Sequence, residues 1–343
     1  MERTEIGSLG EFGLIRHLTE GLITRQPSTL LGVGDDAAVL DPSGKHVLVS
    51  TDMLCEGVHF DLSYAPLKHL GYKAVVVNLS DICAMNALPT QVTVSLALSN
   101  RFSVEAVEEL YAGMRKACEL YGVDLVGGDT TTSLSGLVLS VTVLGFADAD
   151  QIVRRNGAKA GDLLVVSGEL GGAYMGLQVL EREKHVFKEA PGAQPDLTGF
   201  DYVLERQLKP EARFDVVREL RQLKLKPTSM IDVSDGLSSE IFHLCAESGV
   251  GVKVYEEKLP IHPEAYESAR AFHLDPTVCM LNGGEDYELL FTIAQSDADQ
   301  IMNHPMFSII GYMTEDPQER RLIAKNGVEA NLEAQGWQPF KAD

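Results

Sequence analysis

The sequence predicts a two-domain protein in which both domains mix helices and strands. The chain has 343 residues, which is more than one hydrophobic core usually holds. Apolar runs of strand length and longer amphipathic stretches occur in both halves without the regular alternation of βαβ units, so an α+β or mixed α/β fold is expected. The polar, acidic segment 147–152 is the best candidate boundary, and the expected domains are therefore 1–150 and 151–343.

The first half begins with a predicted helix, because Phe12, Ile15, Leu18 and Leu22 recur at helical spacing. A second helix is expected to end before Pro89, because the residue before a proline disfavours the helical conformation. The elements predicted after the first helix are a strand at 47–51, a helix at 67–87, a strand at 91–98, a helix at 104–121 and a strand at 137–144.

The second half is predicted from the same kinds of pattern. Residues 184–200 are rich in proline and glycine and are expected to form a long surface loop. Apolar runs also flank the sequence Asn282-Gly283-Gly284-Glu285-Asp286. The remaining predicted elements are a strand at 162–167, a glycine-rich turn at 168–172 followed by a helix, a buried strand at 230–233 and a helix at 237–248.

The composition excludes several classes of function. Asp and Glu number 50 against 29 Lys and Arg, a net charge of −21, which excludes a general binder of the nucleic-acid backbone and disfavours an anionic membrane surface as a partner. The sequence has no apolar run of membrane-spanning length, no signal-peptide core near its start and no C-x-x-C pair among its 5 cysteines. We therefore expect a soluble cytoplasmic protein with reduced thiols and with neither nucleic acid nor membrane as a partner.

One pattern recurs along the chain: a short apolar strand breaks into a turn that contains Gly or Ser and a carboxylate. Asp81 adds a carboxylate within an apolar helix, on the same face as Asn78, where an acid is unfavourable unless a cation meets it. Any one of these acids could be an ordinary turn or helix-cap residue, but their repetition indicates a shared site. Oxygen donors alone, with hydroxyls beside Asp52, suit Mg²⁺ and not zinc. The turns are Gly34-Asp35-Asp36, Ser50-Thr51-Asp52, Gly128-Asp129-Thr130, Asp232-Val233-Ser234-Asp235-Gly236 and Gly284-Glu285-Asp286.

Two familiar nucleotide-binding motifs are excluded. Residues 32–37 match the dinucleotide fingerprint G-x-G-x-x-A, but Asp35 and Asp36 would lie against the pyrophosphate, and a turn replaces the required helix. The pair Gly44-Lys45 lacks the other residues of a Walker A loop, and the protein-kinase motifs are absent. Any nucleotide must therefore be bound by another architecture.

The order and spacing of the motifs resemble those of the thiamine-monophosphate kinase family, from about residue 10 to Trp337. Pieces such as Gly-Gly-Asp also occur in the wider superfamily of aminoimidazole ribonucleotide synthetase and selenophosphate synthetase. The combination of these pieces with the segments around His59 and Glu285 is specific to the kinases. The motifs are Gly32-Val33-Gly34-Asp35-Asp36-Ala37-Ala38, Ser50-Thr51-Asp52, Gly57-Val58-His59-Phe60, Asn78-Leu79-Ser80-Asp81, Gly127-Gly128-Asp129-Thr130-Thr131, Asp232-Val233-Ser234-Asp235-Gly236 and Gly283-Gly284-Glu285-Asp286-Tyr287-Glu288-Leu289.

The resemblance implies an activity and an architecture. The family transfers the γ-phosphoryl group of ATP to thiamine monophosphate, giving thiamine diphosphate. The implied fold is a two-domain ATP-binding fold similar to that of aminoimidazole ribonucleotide synthetase, with N-terminal sheets paired in a homodimer and a C-terminal domain that closes the active site. Because the attacking phosphate oxygen is already anionic, no general acid or base is expected. Several Mg²⁺ ions and the planar cation of Arg155 would offset the repulsion between two polyphosphates during direct in-line transfer.

The resemblance also implies three groups of site residues, carried over one by one. A register error of one residue would exchange Asp35 for Asp36, or Arg154 for Arg155. The implied ATP contacts are Tyr111, Gly128, Asp129, Arg155 and Ser234, and the implied acceptor contacts are His59, Glu285 and Trp337. The implied Mg²⁺ ligands are Asp36, Ser50, Thr51, Asp52, Asp81, Asp129, Asp232 and Asp235, of which Asp52, Asp129 and Asp232 are central.

Other interpretations are open at this point. Tyr111 could be a core residue of its helix, His59 a partly buried structural histidine and Trp337 a residue that pins the C-terminal segment. The activity could be that of another ATP-consuming member of the superfamily, such as aminoimidazole ribonucleotide synthetase, or non-catalytic binding of divalent cations. A selenophosphate synthetase is disfavoured, because no reactive cysteine lies in a glycine-rich N-terminal loop.

Overall fold

The computed structural model describes Thr4 and residues 10–33, 38–190 and 194–336. The described residues fall into two compact units, one within Met1–Ile82 and Ala87–Asp150 and the other within Cys83–Asn86 and Gln151–Asp343. Each unit has its own sheet and its own helices, so the mixed α and β structure expected of both halves is confirmed. In this part of the chain, no helix combines the length and the apolarity needed to cross a membrane.

The first unit is built on a sheet of order β3-β6-β4-β5, in which β4 and β5 are the parallel pair and β3 and β5 are the edges. Strands β1 and β2 pair separately and antiparallel. The elements are α1 (Gly10–Thr19), β1 (Thr29–Leu31), β2 (Val39–Leu40), β3 (His46–Cys55), α2 (Leu67–Cys83), β4 (Leu88–Leu98), α3 (Val104–Tyr121), β5 (Asp124–Thr132) and β6 (Leu137–Ala147).

The two faces of this sheet differ. Because side chains alternate along a strand, one face carries the fully buried Val92, Val141 and Val143 and packs against α2. The other face exposes Val49 and Met53 of β3. Ser50 and Asp52 alternate with these exposed residues, and they therefore lie on the face that α2 covers.

Helices α2 and α3 approach until their backbones touch. A Cβ atom on Gly71 would overlap the carbonyl oxygen of Leu110, and one on Gly113 would overlap that of Lys68. Glycine is therefore required at both positions by the close approach of the two helices. This contact fixes the position of α2, which carries Asn78 and Asp81.

The second unit is built on a sheet of order β13-β12-β9-β11-β7-β10-β8, in which β12 and β9 are the parallel pair. The elements are β7 (Leu163–Ser167), α4 (Gly172–Glu189), α5 (Asp201–Leu208), α6 (Phe214–Gln222), β8 (Ser229–Asp232), α7 (Leu237–Ser248), β9 (Gly251–Tyr255), α8 (Pro263–Ala271), α9 (Pro276–Asn282), β10 (Leu289–Ile293), α10 (Ala298–Ile301), β11 (Phe307–Thr314), β12 (Arg320–Ile323) and β13 (Glu329–Asn331).

Strand β10 lies between β7 and the edge strand β8 and belongs to the second unit's core. All five of its residues, Leu289–Ile293, are buried; four are apolar, and the hydroxyl of the fifth, Thr292, shares a hydrogen bond of 2.7 Å with the Ser229 hydroxyl. Leu290 packs with Leu164 of β7 and with Ile241 of α7 in one hydrophobic cluster. Because Leu289 pairs with Asp232, the end of β8 and the start of β10 meet at one place in the sheet. The two acidic motifs that adjoin these strands are therefore neighbours.

Several boundaries differ from the sequence-based prediction: α1 ends at Thr19, before Leu22, and β3 and β6 continue to Cys55 and Ala147. Helix α4 continues to Glu189, so the loop predicted at 184–200 is wrong over its first six residues, where the helix exposes Val186 and Phe187. Helix α2 ends at Cys83 and not near residue 87. Strand β4 begins at Leu88 and includes Pro89, because the register shifts there and accommodates a residue without an N–H donor.

Candidate active site

Strand β3 and helix α2 bring three of the predicted Mg²⁺ ligands together. The Ser50 hydroxyl donates to Oδ2 of Asp81 at 2.6 Å. The main-chain N–H of Asp52 donates to Oδ1 of Asn78 at 3.0 Å, and the Asn78 amide donates in turn to the carbonyl oxygen of Ala74 at 2.9 Å. Asn78 and Asp81 therefore share a helix face, as predicted, and this face meets Ser50 and Asp52.

Thr51 lies between these residues but faces the other way. Its hydroxyl donates to the carbonyl oxygen of Val141 at 3.1 Å and accepts from the hydroxyl of Thr142 at 3.0 Å. The alternation of side chains along β3 thus separates the Thr51 side chain from those of Ser50 and Asp52. Between the side chains of Ser50 and Asp52, Thr51 therefore contributes its main chain and not its hydroxyl.

Gly128 and Asp129 lie on β5, at the opposite edge of the sheet from Asp52. Asp52 pairs with Val141, Val141 with Val94 and Val94 with Gly128, so three strand spacings separate the two edges. Measured along the sheet this is about 14 Å, from the usual spacing of neighbouring strands. Within one chain, this sheet does not bring Asp129 to Asp52. A Cβ atom on Gly128 would also overlap the backbone of Val94. The close approach of β4 and β5 is therefore sufficient to explain a glycine at this position.

His59 lies in an exposed turn directly after β3. Its Nδ1 accepts from the main-chain N–H of Cys55 at 3.0 Å. A ring that accepts at Nδ1 carries its hydrogen on Nε2. The turn that holds it contains Gly57 at φ 82°, a conformation that favours glycine.

Tyr111 is placed in the core of the first unit. It lies within α3 with 7% of its surface exposed, and this burial raises the pKa of its phenol. The position fits the interpretation of Tyr111 as a core residue, and its contact with ATP stays a prediction.

In the second unit, Asp232, Ser234 and Asp235 lie where β8 turns into α7. Glu240, in the first turn of α7, accepts from the main-chain N–H of Asp235 at 3.1 Å and from the Ser234 hydroxyl at 3.5 Å. Burial raises the pKa of Glu240 to about 7, although the Asp235 N–H and the charge of Arg155 oppose the rise. Glu240 therefore holds this turn, and its charge is coupled to Arg155. The sequence analysis missed Glu240, although a Glu five residues after Asp235 is visible in the sequence.

The segment that contains Glu285 is joined to this turn. The N–H of Glu285 donates to the carbonyl oxygen of Ser234 at 2.7 Å, and the N–H of Tyr287 donates to that of Val233 at 2.8 Å. Glu285 and Tyr287 have φ values of 65° and 53°, which side-chain-bearing residues rarely adopt. The structure thus brings a predicted ATP contact, Ser234, and a predicted acceptor contact, Glu285, side by side.

The three acids of this segment have different environments. Asp286 is fully buried and accepts from the N–H groups of Gly171 and Ala173 at the start of α4, at 2.7 and 3.4 Å. Burial raises its pKa to about 7. Glu288, also buried, forms ion pairs with two arginines of the second unit and accepts from Ser167 at 2.6 Å. Glu285 is half-buried and accepts from the Gln207 amide at 2.7 Å.

The chain as a whole matches known proteins. The family of AIR synthase related protein, N-terminal domain, matches residues 34–147, and the corresponding C-terminal domain family matches residues 159–323. Thiamine-monophosphate kinase of Bacillus subtilis is 33% identical over 339 residues, covering 97% of this chain and 100% of that protein. The chain belongs to the thiamine-monophosphate kinase family. The resemblance inferred from the motifs is thereby confirmed, and the protein is an enzyme of this family.

Further members of the family support the assignment. Thiamine-monophosphate kinase of Aquifex aeolicus is 37% identical over 284 residues, covering 83% of this chain and 86% of that protein. The solved structure of AaThiL complexed with AMPPCP and TMP has a TM-score of 0.74 at 32% identity, covering 99% of this chain and 100% of that one. The hydrogenase maturation protein HypE, with a TM-score of 0.72 at 19% identity, shares the fold.

The donor set fits the Mg²⁺ expected of the family. Carboxylate, hydroxyl and amide oxygens surround Asp52 and Asp81, and these are the donors that Mg²⁺ prefers. Within the described ranges 10–33, 38–190 and 194–336, no three His, Cys, Asp or Glu side chains are close enough to hold a metal ion together. Asp36 and Trp337 lie outside the described residues.

Proposed function

We propose that this protein transfers the γ-phosphoryl group of ATP to thiamine monophosphate, giving thiamine diphosphate as a step of thiamine diphosphate biosynthesis. The observation that carries the proposal is the hydrogen bond between the Ser234 turn, the proposed ATP side, and Glu285, the proposed acceptor side. The full-length similarity to thiamine-monophosphate kinases, and to a relative complexed with AMPPCP and TMP, supports it.

The transfer we propose is direct and in line, with several Mg²⁺ ions. The phosphate of the acceptor is ionised at neutral pH and needs no base, so the protein has to position two anions and offset their repulsion. Arg155, exposed beside the Ser234 turn, provides a planar cation for phosphate oxygens. When bound, Mg²⁺ supplies the main neutralisation of phosphate charge. Glu240 keeps the Ser234 and Asp235 main chain in place for this task.

The residue assignments made from the family resemblance are retained as proposals. His59 supplies an Nε2–H donor and Glu285 a carboxylate to the acceptor, whose thiazolium carries a fixed positive charge. For Thr51, the proposed metal contact falls to the main chain. The proposed Mg²⁺ ligands are Asp36, Ser50, Thr51, Asp52, Asp81, Asp129, Asp232 and Asp235, the ATP contacts are Tyr111, Gly128, Asp129, Arg155 and Ser234, and the acceptor contacts are His59, Glu285 and Trp337.

A homodimer that pairs through the N-terminal sheets is part of the proposal. The sheet face opposite α2 leaves Val47, Val49 and Met53 exposed by 48%, 62% and 58%, an apolar surface that a second copy would cover. Asp52 and Asp129 lie at opposite edges of the same sheet. In the proposed dimer, Asp129 of the second copy joins the site that contains Asp52. We place this enzyme in the cytoplasm and expect the C-terminal domain to close the site.

The test is an assay of ADP formation with and without thiamine monophosphate. The proposal predicts that ADP forms only when thiamine monophosphate is present and that thiamine diphosphate accumulates with it. ADP formation that requires an amide acceptor instead would indicate the chemistry of aminoimidazole ribonucleotide synthetase. Tight binding of divalent cations without any ADP formation would indicate a non-catalytic protein.

A further inference from the structure

The last residue of α7, Ser248, binds the loop that carries Arg155. The Ser248 hydroxyl accepts from the main-chain N–H groups of Gly157 and Ala158, at 3.1 and 3.2 Å, and donates to the carbonyl oxygen of Arg155 at 3.2 Å. A hydroxyl has one hydrogen to donate and two lone pairs that accept. This side chain therefore uses its full hydrogen-bonding capacity on one loop, residues 155–158.

The start of β8 contacts the same loop. The main-chain N–H of Met230 donates to the carbonyl oxygen of Arg154 at 3.0 Å. A Cβ atom on Gly157 would overlap the carbonyl oxygen of Thr228, and the φ of Gly157 is 136°, a conformation that favours glycine. Contacts at the start of β8 and at the end of α7 thus both determine where the main chain of Arg155 lies.

The charge of Arg155 acts at the opposite end of α7. Burial raises the pKa of Glu240, in the first turn of this helix, and the positive charge of Arg155 is one of the effects that oppose the rise. Glu240 in turn accepts from the Asp235 N–H and from the Ser234 hydroxyl. Glu240 and Ser248 are separated by about 12 Å along the helix axis, from the usual rise per residue. Arg155 is therefore bound through its main chain at the end of α7, and its charge acts near the Ser234 turn.

We propose that Ser248 is a positioning residue for ATP binding: its hydroxyl fixes the main chain from which the Arg155 guanidinium extends to the phosphates of ATP. The inference rests on the proposed function for the contact between Arg155 and ATP. Ser248 acts through Arg155, so its loss should weaken the binding of ATP and spare that of thiamine monophosphate.

The first test compares steady-state kinetics of the full-length wild type with Ser248→Ala, Ser248→Thr and Ser248→Cys. Removing the hydroxyl in Ser248→Ala should raise the apparent KM for ATP about 10-fold, the effect of one hydrogen bond to a charged group, with the KM for thiamine monophosphate unchanged. Ser248→Thr retains the hydroxyl and should keep the KM for ATP close to that of the wild type. Should Ser248→Ala fail to fold, Ser248→Cys decides the matter, because a thiol has a similar shape but is a weak donor and acceptor.

The matched control is Glu247→Gln, an exposed residue of the same helix, for which no change is expected. An unchanged KM for ATP in Ser248→Ala, or an equal rise in Ser248→Thr, would overturn the inference.

A double-mutant cycle identifies the arginine through which Ser248 acts. In an Arg155→Ala background, Ser248→Ala should produce no further rise in the KM for ATP, whereas in an Arg154→Ala background the full rise should remain. Additive effects with Arg155→Ala, or a lower melting temperature with an unchanged KM, would overturn the inference.

Calorimetric binding of a non-hydrolysable ATP analogue separates the inference from the proposed function. Ser248→Ala should bind the analogue about 10-fold more weakly than the wild type, even without thiamine monophosphate. If the wild type forms thiamine diphosphate and Ser248→Ala binds the analogue equally well, the inference alone fails. If the wild type binds the analogue but forms no thiamine diphosphate, the proposed function fails, while weaker binding by Ser248→Ala still supports the role of Ser248. If the wild type does not bind the analogue, both fail.

Discussion

The main-chain N–H of Glu285 donates to the carbonyl oxygen of Ser234 at 2.7 Å, and this bond joins two acidic motifs that are distant in the sequence. It forms because the strands that adjoin the motifs, β8 and β10, pair with Leu289 opposite Asp232. Ser234, proposed to contact ATP, and Glu285, proposed to contact the acceptor, thus lie in two turns that are joined by a main-chain hydrogen bond. The position of each therefore depends on the other.

Asp52→Asn should lower kcat by at least about 100-fold while leaving the fold intact, because it removes a charge from the proposed Mg²⁺ ligands. Excess EDTA should abolish wild-type turnover, and added Mg²⁺ should restore it. Steady-state kinetics and a circular dichroism spectrum measure the two effects. Asp148→Asn, at an exposed acid outside the site, is the control. Turnover close to that of the wild type in Asp52→Asn would contradict the metal assignment.

Asp81→Asn should abolish most activity without loss of stability. Asp81 is half-buried and accepts from Ser50, a bond that an asparagine oxygen can also accept. Removing the charge should therefore leave the melting temperature unchanged or raise it, while the proposed metal site loses a ligand. Thermal melts and kinetics on the same preparation decide it. A lower melting temperature together with near-normal turnover would show that Asp81 is structural.

Substitutions at His59 should raise the KM for thiamine monophosphate before that for ATP. The Cys55 N–H donates to Nδ1 of His59, so a hydrogen bond from this ring to the acceptor would use Nε2. A glutamine amide reaches the Nε2 position and an asparagine amide the Nδ1 position, so His59→Gln should retain more acceptor affinity than His59→Asn. The opposite order, or a rise confined to the KM for ATP, would show that the two substrates have been assigned to the wrong ends of the site.

The buried Asp286 should make the protein less stable as the pH rises. Its pKa is raised from 3.8 to about 7 in the folded state, so between these values the unfolded chain has lost a proton that the folded chain keeps. The free energy of unfolding should therefore fall over this range, by up to about 1.4 kcal/mol per pH unit from this group. Urea denaturation at pH 5, 6 and 7 measures the slope, and Asp286→Asn should reduce it. Equal slopes in both proteins would contradict the prediction.

Local patterns were sufficient to predict part of the site. The spacing of Asn78 and Asp81 predicted a shared helix face, which is confirmed, and so is a strand at 47–51. The turns predicted at Ser50-Thr51-Asp52 and Gly128-Asp129-Thr130 are wrong, because these residues continue β3 and β5. The opposite orientation of the Thr51 side chain follows from the alternation of side chains along β3. The motif-based prediction missed it, because it treated Ser50, Thr51 and Asp52 as three ligands of one site.

Other features depend on residues that are far apart in the sequence. Nothing local distinguishes Glu285 from Asp286 and Glu288, because their partners come from α5 and from the residues at the starts of α4 and α6. Helix α5, which supplies Gln207, was not predicted at all, since it follows directly on the loop expected at 184–200. Tertiary contacts bury Asp286 and Glu288 and leave Glu285 half-buried. Local sequence patterns do not predict such contacts between distant residues.

The central claim is direct transfer of a phosphoryl group from ATP to thiamine monophosphate, and the most direct test follows that group. With ATP labelled at the γ-phosphate, the label should appear in thiamine diphosphate, in a one-to-one ratio with ADP and only when thiamine monophosphate is supplied. Label recovered as inorganic phosphate, or ADP formed at the same rate without thiamine monophosphate, would contradict the account.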